Sequence, residues 1–117
     1  MTAPVRSKPV VLVVFSVPLF VEAFAAASES LADVKALPAD DADLPGLIDA
    51  LRPDAIVVQQ AARPSFEAEV PVFHVDLDNR IVSARTEGEW RPVQVDLSAE
   101  AIRNQVLSAT TVGAGAA

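Results

Sequence analysis

The sequence predicts a small α/β protein, a three-layer sandwich whose first strands run parallel and whose C-terminal edge is an antiparallel hairpin. Three observations predict it. Apolar runs of β-branched, strand-like character alternate with runs of helical spacing through the first half of the chain. One run, DAIVV at 54–58, is apolar throughout after its first residue, as in strands buried on both faces of a parallel sheet. From Gln59 the pattern changes, and short strand-like runs separated by turn signals follow until a last helix.

The first element decides how the rest is understood. VLVVFSVPLFVEAF, residues 11–24, contains a single acid and resembles either a membrane span, an export signal, or a strand followed by a helix. A spanning helix needs about 20 apolar residues, and Pro18 and Glu22 interrupt this run. An export signal fits Arg6 and Lys8 ahead of an apolar stretch and the small residues of AFAAA, with cleavage after about residue 27 as the consequence. A strand and helix account for both halves: VVLVVF is β-branched, and Phe20, Phe24, Ala27 and Leu31 recur at helical spacing with Glu22 and Glu29 off that stripe. Pro18 sits at the first turn, where its missing N–H has no intrahelical partner. The expectation is a central strand at 10–15, a helix at 18–31, and a cytoplasmic protein.

The alternation continues. ADVKAL at 32–37 is a short strand, and the acidic PADDAD is a solvated loop. Leu44, Leu47, Ile48 and Leu51 then form a helical stripe, with Asp43 placed to cap it and Arg52-Pro53 to end it. After the strand at 54–58, QQAARPSFEAE is too short and too broken by Pro64 for a full helix. VPVFHVDL and IVSAR flank Asp78-Asn79, a turn signal for a hairpin, and TEGE supplies a second turn before WRPVQV, whose Pro92 belongs on an edge strand. A last helix starts behind Ser98 and presents Ala99, Ile102 and Val106 on one side as far as Leu107. Residues 1–8 are then an N-terminal extension, 9–109 one domain, and 110–117 a flexible tail.

Composition narrows the function. Of the 117 residues, 51% are hydrophobic and 21% charged, the balance of a globular domain. The net charge of −7 and pI of about 4.5 disfavour nucleic acid and anionic membranes as partners. With no cysteine there is no disulfide, thiol catalysis or thiolate metal site. No glycine-rich phosphate loop is present, and no cofactor is indicated.

VLVVFSVPLFVEAF resembles the opening strand and helix of a response-regulator receiver domain, and LPGLIDALRPDAIVVQ resembles that family's second helix, Arg-Pro-Asp turn and third strand. The resemblance covers residues 9–60, about half the chain. It implies a flavodoxin-like fold and a regulatory role in signal transduction. Receivers hold Mg²⁺ on an acidic pair after the first strand and accept a phosphoryl group on an aspartate ending the third. The matching positions here are Phe15, Ser16 and Gln59, none of them acidic. The hydroxyl position ending the fourth strand falls near Asp76, and the lysine after the fifth strand has no counterpart, since Lys8 and Lys35 are the only lysines. The resemblance therefore implies a degenerate receiver, or pseudo-receiver, without phosphotransfer chemistry. Such a module acts by docking a protein partner or a second copy of itself.

Other constellations are simpler. His74, Asp76 and Asp78 alternate and share a strand face, as part of a metal site or as the polar side of a hairpin; a single imidazole favours the hairpin, and no metal is expected. Ser16 with His74 lacks a third member for nucleophilic catalysis. Ser16, Gln59, Gln60 and Asp76 line the strand-end crevice of an open α/β sheet, where a small-ligand sensor or minor enzyme would bind its ligand. Finally, the chain offers fewer helices than a receiver. The hairpin side carrying Val72, His74, Asp76, Ile81, Ser83 and Arg85 is therefore expected to lie open as a docking face, with Phe73, Val75, Leu77, Val82 and Ala84 packed inward.

Overall fold

A computed structural model describes residues 9–38, 44–60, 70–86, 89–94 and 96–115. The Asp43 cap, the PADDAD loop, most of the segment ending at Glu69, the Glu87-Gly88 turn and the N-terminal extension lie outside the described residues. The elements follow in the order β1 (Val10–Phe15), α1 (Pro18–Ser28), β2 (Asp33–Pro38), α2 (Leu44–Leu51), β3 (Ala55–Gln59), β4 (Val72–Asp76), β5 (Ile81–Thr86), β6 (Glu89–Val93) and α3 (Ala99–Gly115). They form one small α/β unit around a six-stranded sheet of order β2-β1-β3-β4-β5-β6. The first four strands in that order are parallel and the last two antiparallel. β1 is interior but second from one edge, so β3 and β4 occupy the middle.

The apolar runs of β1 and β3 lie side by side, with Val11 opposite Ala55 and Val14 opposite Val58. Alternation along the pleat divides them between two cores. Val11, Val13, Ala55 and Val57 join Phe20, Phe24, Ile102 and Val106 under α1 and α3. Leu12, Val14, Ile56 and Val58 form the other cluster, packed against Ile48, Leu51, Val70 and Trp90. Fully burying one such side chain is worth about 1.5–3 kcal/mol, which is why this strand pair organises the sheet. The Arg-Pro-Asp turn registers the pair. Arg52 takes a left-handed φ of 47° and its N–H reaches the Ile48 carbonyl at 2.9 Å, closing α2. Asp54 then accepts a hydrogen bond from the Val10 N–H at 2.7 Å, while its own N–H donates to the Val10 carbonyl at 2.7 Å.

α1 begins at Pro18 as the sequence predicts, but it stops at Ser28 rather than Leu31. The Ser28 carbonyl accepts from both Leu31 and Ala32 N–H at 2.8 Å, turning the chain into β2 and leaving Leu31 44% exposed. The buried stripe is therefore Phe20, Phe24 and Ser28, with Val21 beside it. α3 runs beyond the expected end at Leu107 to Gly115, and Ala109 still packs against the main core. Its start is the predicted cap, with Ser98 Oγ accepting from the Ala101 N–H at 3.1 Å. Arg103 donates to the Ala27 carbonyl at 2.6 Å, tying α3 to the C-terminal turn of α1.

The hairpin registers as expected: Asp76 pairs with Ile81, Val75 with Val82 and His74 with Ser83. Its turn differs. The positive φ falls on Arg80, at 59°, and not on Asp78 or Asn79, so residues 77–80 make a four-residue loop instead of a two-residue turn. β6 is an edge strand with Pro92 opposite Ser83, where a missing N–H is tolerated. Among the described residues no helix is long and apolar enough to cross a membrane.

Among the described residues one buried side-chain polar atom is unmatched: Ser28 Oγ is fully enclosed and has no hydrogen-bond partner. An unsatisfied buried hydroxyl costs about 1–3 kcal/mol. Ser28→Ala should therefore raise the unfolding free energy by about 1 kcal/mol, read from urea denaturation midpoints at unchanged slope. A loss of stability would show that the hydroxyl has a partner in solution.

Candidate functional site

Parallel strands deliver their last residues to one end of the sheet, and in an open α/β sheet that end is where side chains converge. Ser16 after β1, Gln59 and Gln60 at the end of β3, and Asp76 at the end of β4 meet there with Val17, Leu77 and Asp78 around a pocket of about 110 Å³. The sequence predicts this convergence. What the residues do in it is a property of the folded chain.

Gln59 closes the apolar run of β3 and is 3% exposed, on the strand face shared with Val57. Its Oε1 accepts from the Val17 N–H at 2.7 Å and from the Ser16 N–H at 3.0 Å. Its Nε2 donates to Ser16 Oγ at 3.2 Å, and Ser16 Oγ in turn donates to the Gln59 carbonyl at 3.2 Å. One amide thus fastens the β1–α1 connection to β3 and takes up backbone donors just ahead of α1. Val17 is the N-cap residue and offers no side-chain oxygen for that purpose. Sequence reasoning places Gln59 in the crevice but misses this staple. The available signal is an amide ending an otherwise apolar buried strand, where its polar atoms must be paired. Phe15, the other receiver-like position, packs against the α1–α3 core.

Asp76 faces its own turn. Its Oδ2 accepts from Asn79 Nδ2 at 2.7 Å and its Oδ1 from the Asn79 N–H at 3.2 Å. These bonds to Asn79, helped by the nearby His74, hold the carboxyl below the usual aspartate range despite some desolvation. The carboxylate is the latch of the hairpin loop.

His74 is buried, with Nε2 2.9 Å from the Gln60 carbonyl, so that nitrogen carries the proton and donates. Its ring meets Trp90 edge-on at 6.2 Å, and the Arg85 guanidinium lies 5.3 Å from the Trp90 ring centre. Ser16 is thus bonded to Gln59 while His74 is bonded to Gln60. His74 and Asp76 share a strand face, whereas Asp78 is in the exposed turn. No group of three His, Asp or Glu side chains able to hold a metal occurs among the described residues.

The hairpin face expected to be open is mostly closed. Val72, His74, Asp76 and Ser83 are buried and Arg85 is half-buried, leaving Ile81 as its one well-exposed apolar side chain. Counting helices overlooked the cover supplied by β6: Trp90 lies across this side, with Val70 beside it and Gln60 against His74. The opposite side behaves as predicted, with Phe73, Val75 and Val82 buried and Leu77 and Ala84 packed against them. Comparison of the chain with protein-family models, curated proteins and solved structures finds no match in any of the three.

Two outcomes follow from this geometry. Gln59→Leu removes the acceptor of the Val17 N–H, while the Ser16 N–H keeps the Gln59 main-chain carbonyl at 3.1 Å; the change should destabilise the fold by about 1–3 kcal/mol, with amide exchange accelerating first at Val17. Gln59→Glu keeps the oxygens and should lose less at neutral pH. For Asp76 the folded pKa is depressed, so its contribution is complete above the ordinary aspartate value of about 3.9 and is lost as pH falls through and below it. Asp76→Asn should flatten that acid limb while changing stability at pH 7 in the same direction as acidification does in the wild type, measured by denaturant unfolding across pH. An unchanged acid limb would show that other carboxylates set it.

Proposed function

We propose that the chain is a flavodoxin-like, receiver-like module of the degenerate kind, a pseudo-receiver. It works in the cytoplasm in signal transduction, by docking a protein partner or a second copy of itself and not by catalysis. The observation that carries the reading is the Gln59 staple. At the end of the third strand, where a receiver keeps its phosphoacceptor aspartate, stands an uncharged amide whose oxygen is already engaged by two backbone N–H groups. Phe15 and Ser16 stand where the metal-binding acids would be, and Mg²⁺ usually requires a carboxylate among its ligands. The order β2-β1-β3-β4 of parallel strands supports the reading, since it begins the flavodoxin-like winding. The antiparallel β5 and the added β6 depart from that pattern. Asp76 is held by Asn79, and Gln59 and Ser16 are bonded to each other.

Acetyl phosphate or beryllofluoride with Mg²⁺ should leave the intact mass and the thermal unfolding curve unchanged. A stable phosphoryl adduct, on Asp54 or Asp76 for example, would overturn the reading. A metabolite screen by thermal shift tests it from the other side. A true crevice ligand at 100 times its dissociation constant would add about 2.7 kcal/mol of stability, and such a hit blocked by Gln59→Leu would make the protein a small-ligand sensor instead.

A further inference from the structure

α1 and α3 pack against each other over the main core, and their N-terminal ends leave an apolar pocket of about 260 Å³. Leu19, Phe20, Leu77, Leu97 and Ile102 are prominent in its wall. Leu19 is 73% exposed, the most open of the large apolar side chains described. Through Ala23 and Ala99 the pocket continues into a shallow trough floored by Ala26 and Ala27. Apart from Arg103, the charges named along these surfaces are acidic. Glu100 lines the trough, Glu22 follows Leu19 by about one turn, Asp78 adjoins Leu77 and Asp96 adjoins Leu97, all four exposed. No lysine or arginine lines either hollow among the described residues. Arg103 stands at the edge of the trough, its guanidinium committed to the Ala27 carbonyl and to Asn104.

We propose that this groove binds a cationic amphipathic helix of a protein partner, a large apolar side chain seated among Leu19, Leu77 and Leu97 and its lysines or arginines set against Glu22, Asp78, Asp96 and Glu100. The proposal rests on the interaction-module reading and names its docking surface and partner chemistry. A helix suits the shape, because the small side chains of the trough let another helix axis approach while the deeper pocket takes one anchor residue. The acidic border selects a basic partner and steers its approach. It also opposes a second copy of this chain, which would bring the same acids face to face at a net charge of −7 per chain.

The test uses the full chain and a synthetic helical peptide of about 18 residues, leucines on one face and lysines on the other, titrated by ¹⁵N-NMR. Binding should shift the amides of Leu19, Ala23, Leu77 and Leu97, weaken with salt, and weaken about tenfold in Leu19→Glu. Leu19 is solvent-facing, so that variant should keep the wild-type unfolding curve; Ala23→Trp, which fills the trough, is the second variant and should lose binding similarly. Glu22→Lys with Glu100→Lys should exchange the lysine peptide for its glutamate counterpart. The proposal is overturned if the wild type does not bind the lysine peptide, if it binds the glutamate peptide equally, if the folded groove variants retain affinity, if the shifts map elsewhere, or if the groove is covered by self-association. Should the groove fail while phosphoryl donors and metabolites leave the protein unchanged, the module reading survives with its docking surface placed elsewhere; a crevice ligand would remove that reading itself.

Discussion

Two parallel strands with no charged or polar side chain from the Val11–Ala55 pair to the Val14–Val58 pair impose the architecture. Val11–Val14 in β1 and Ala55–Val58 in β3 are at most 1% exposed, so the sheet must be covered on both sides wherever they pair. Parallel pairing also requires each strand to be followed by a crossover, which supplies that cover. α1 and α3 fill one side, and α2 fills part of the other with Ile48 and Leu51. Among the described residues, Val70 and Trp90, the latter on a strand and not a helix, also pack on that second side. A large aromatic side chain suits that place, because it buries more area than any aliphatic one.

The same constraint explains the end of the sheet. Where the apolar strands stop, backbone donors before α1 emerge at the edge of a low-dielectric core, and an unpaired one is costly. Gln59 pairs them from the neighbouring strand, and because its side chain belongs to β3 it couples the placement of α1 to the register of β1 against β3. α1 so placed turns Phe20 and Phe24 inward, their rings 6.0 Å apart, and Leu19 outward beside Leu77. The staple that satisfies the crevice and the groove that faces the solvent are consequences of one helix position.

Acidity is unevenly placed around this frame. Asp54 and Asp76 are structural acceptors, one joining β1 to the start of β3 and the other latching the hairpin loop. Glu22, Asp96 and Glu100 remain in solvent along the α1–α3 side. Carboxylates bound to N–H groups act in folding, while those in solvent shape the field that a partner meets.

The sequence by itself determined the elements and much of their orientation. Periodicity is local, so β-branched runs, the Phe20–Phe24 spacing, the Ser98 cap and the Arg52-Pro53 stop are all legible without a fold. The hairpin register was legible too, because strand length and pleat link Asp76 to Ile81 whichever turn joins them; the positive φ at Arg80, against an expectation at Asp78 and Asn79, did not alter it. Only the tertiary structure decided what each exposed-looking residue meets. Leu31 left the buried stripe because the Ser28 carbonyl captured the following N–H groups and turned the chain. His74 lost its solvent when Trp90 and Gln60 arrived from distant positions, and Gln59 became a staple through atoms 42 and 43 residues away. Pattern reports which side of an element is apolar, whereas burial and hydrogen bonding depend on contacts between residues far apart in the chain, and no local period encodes those.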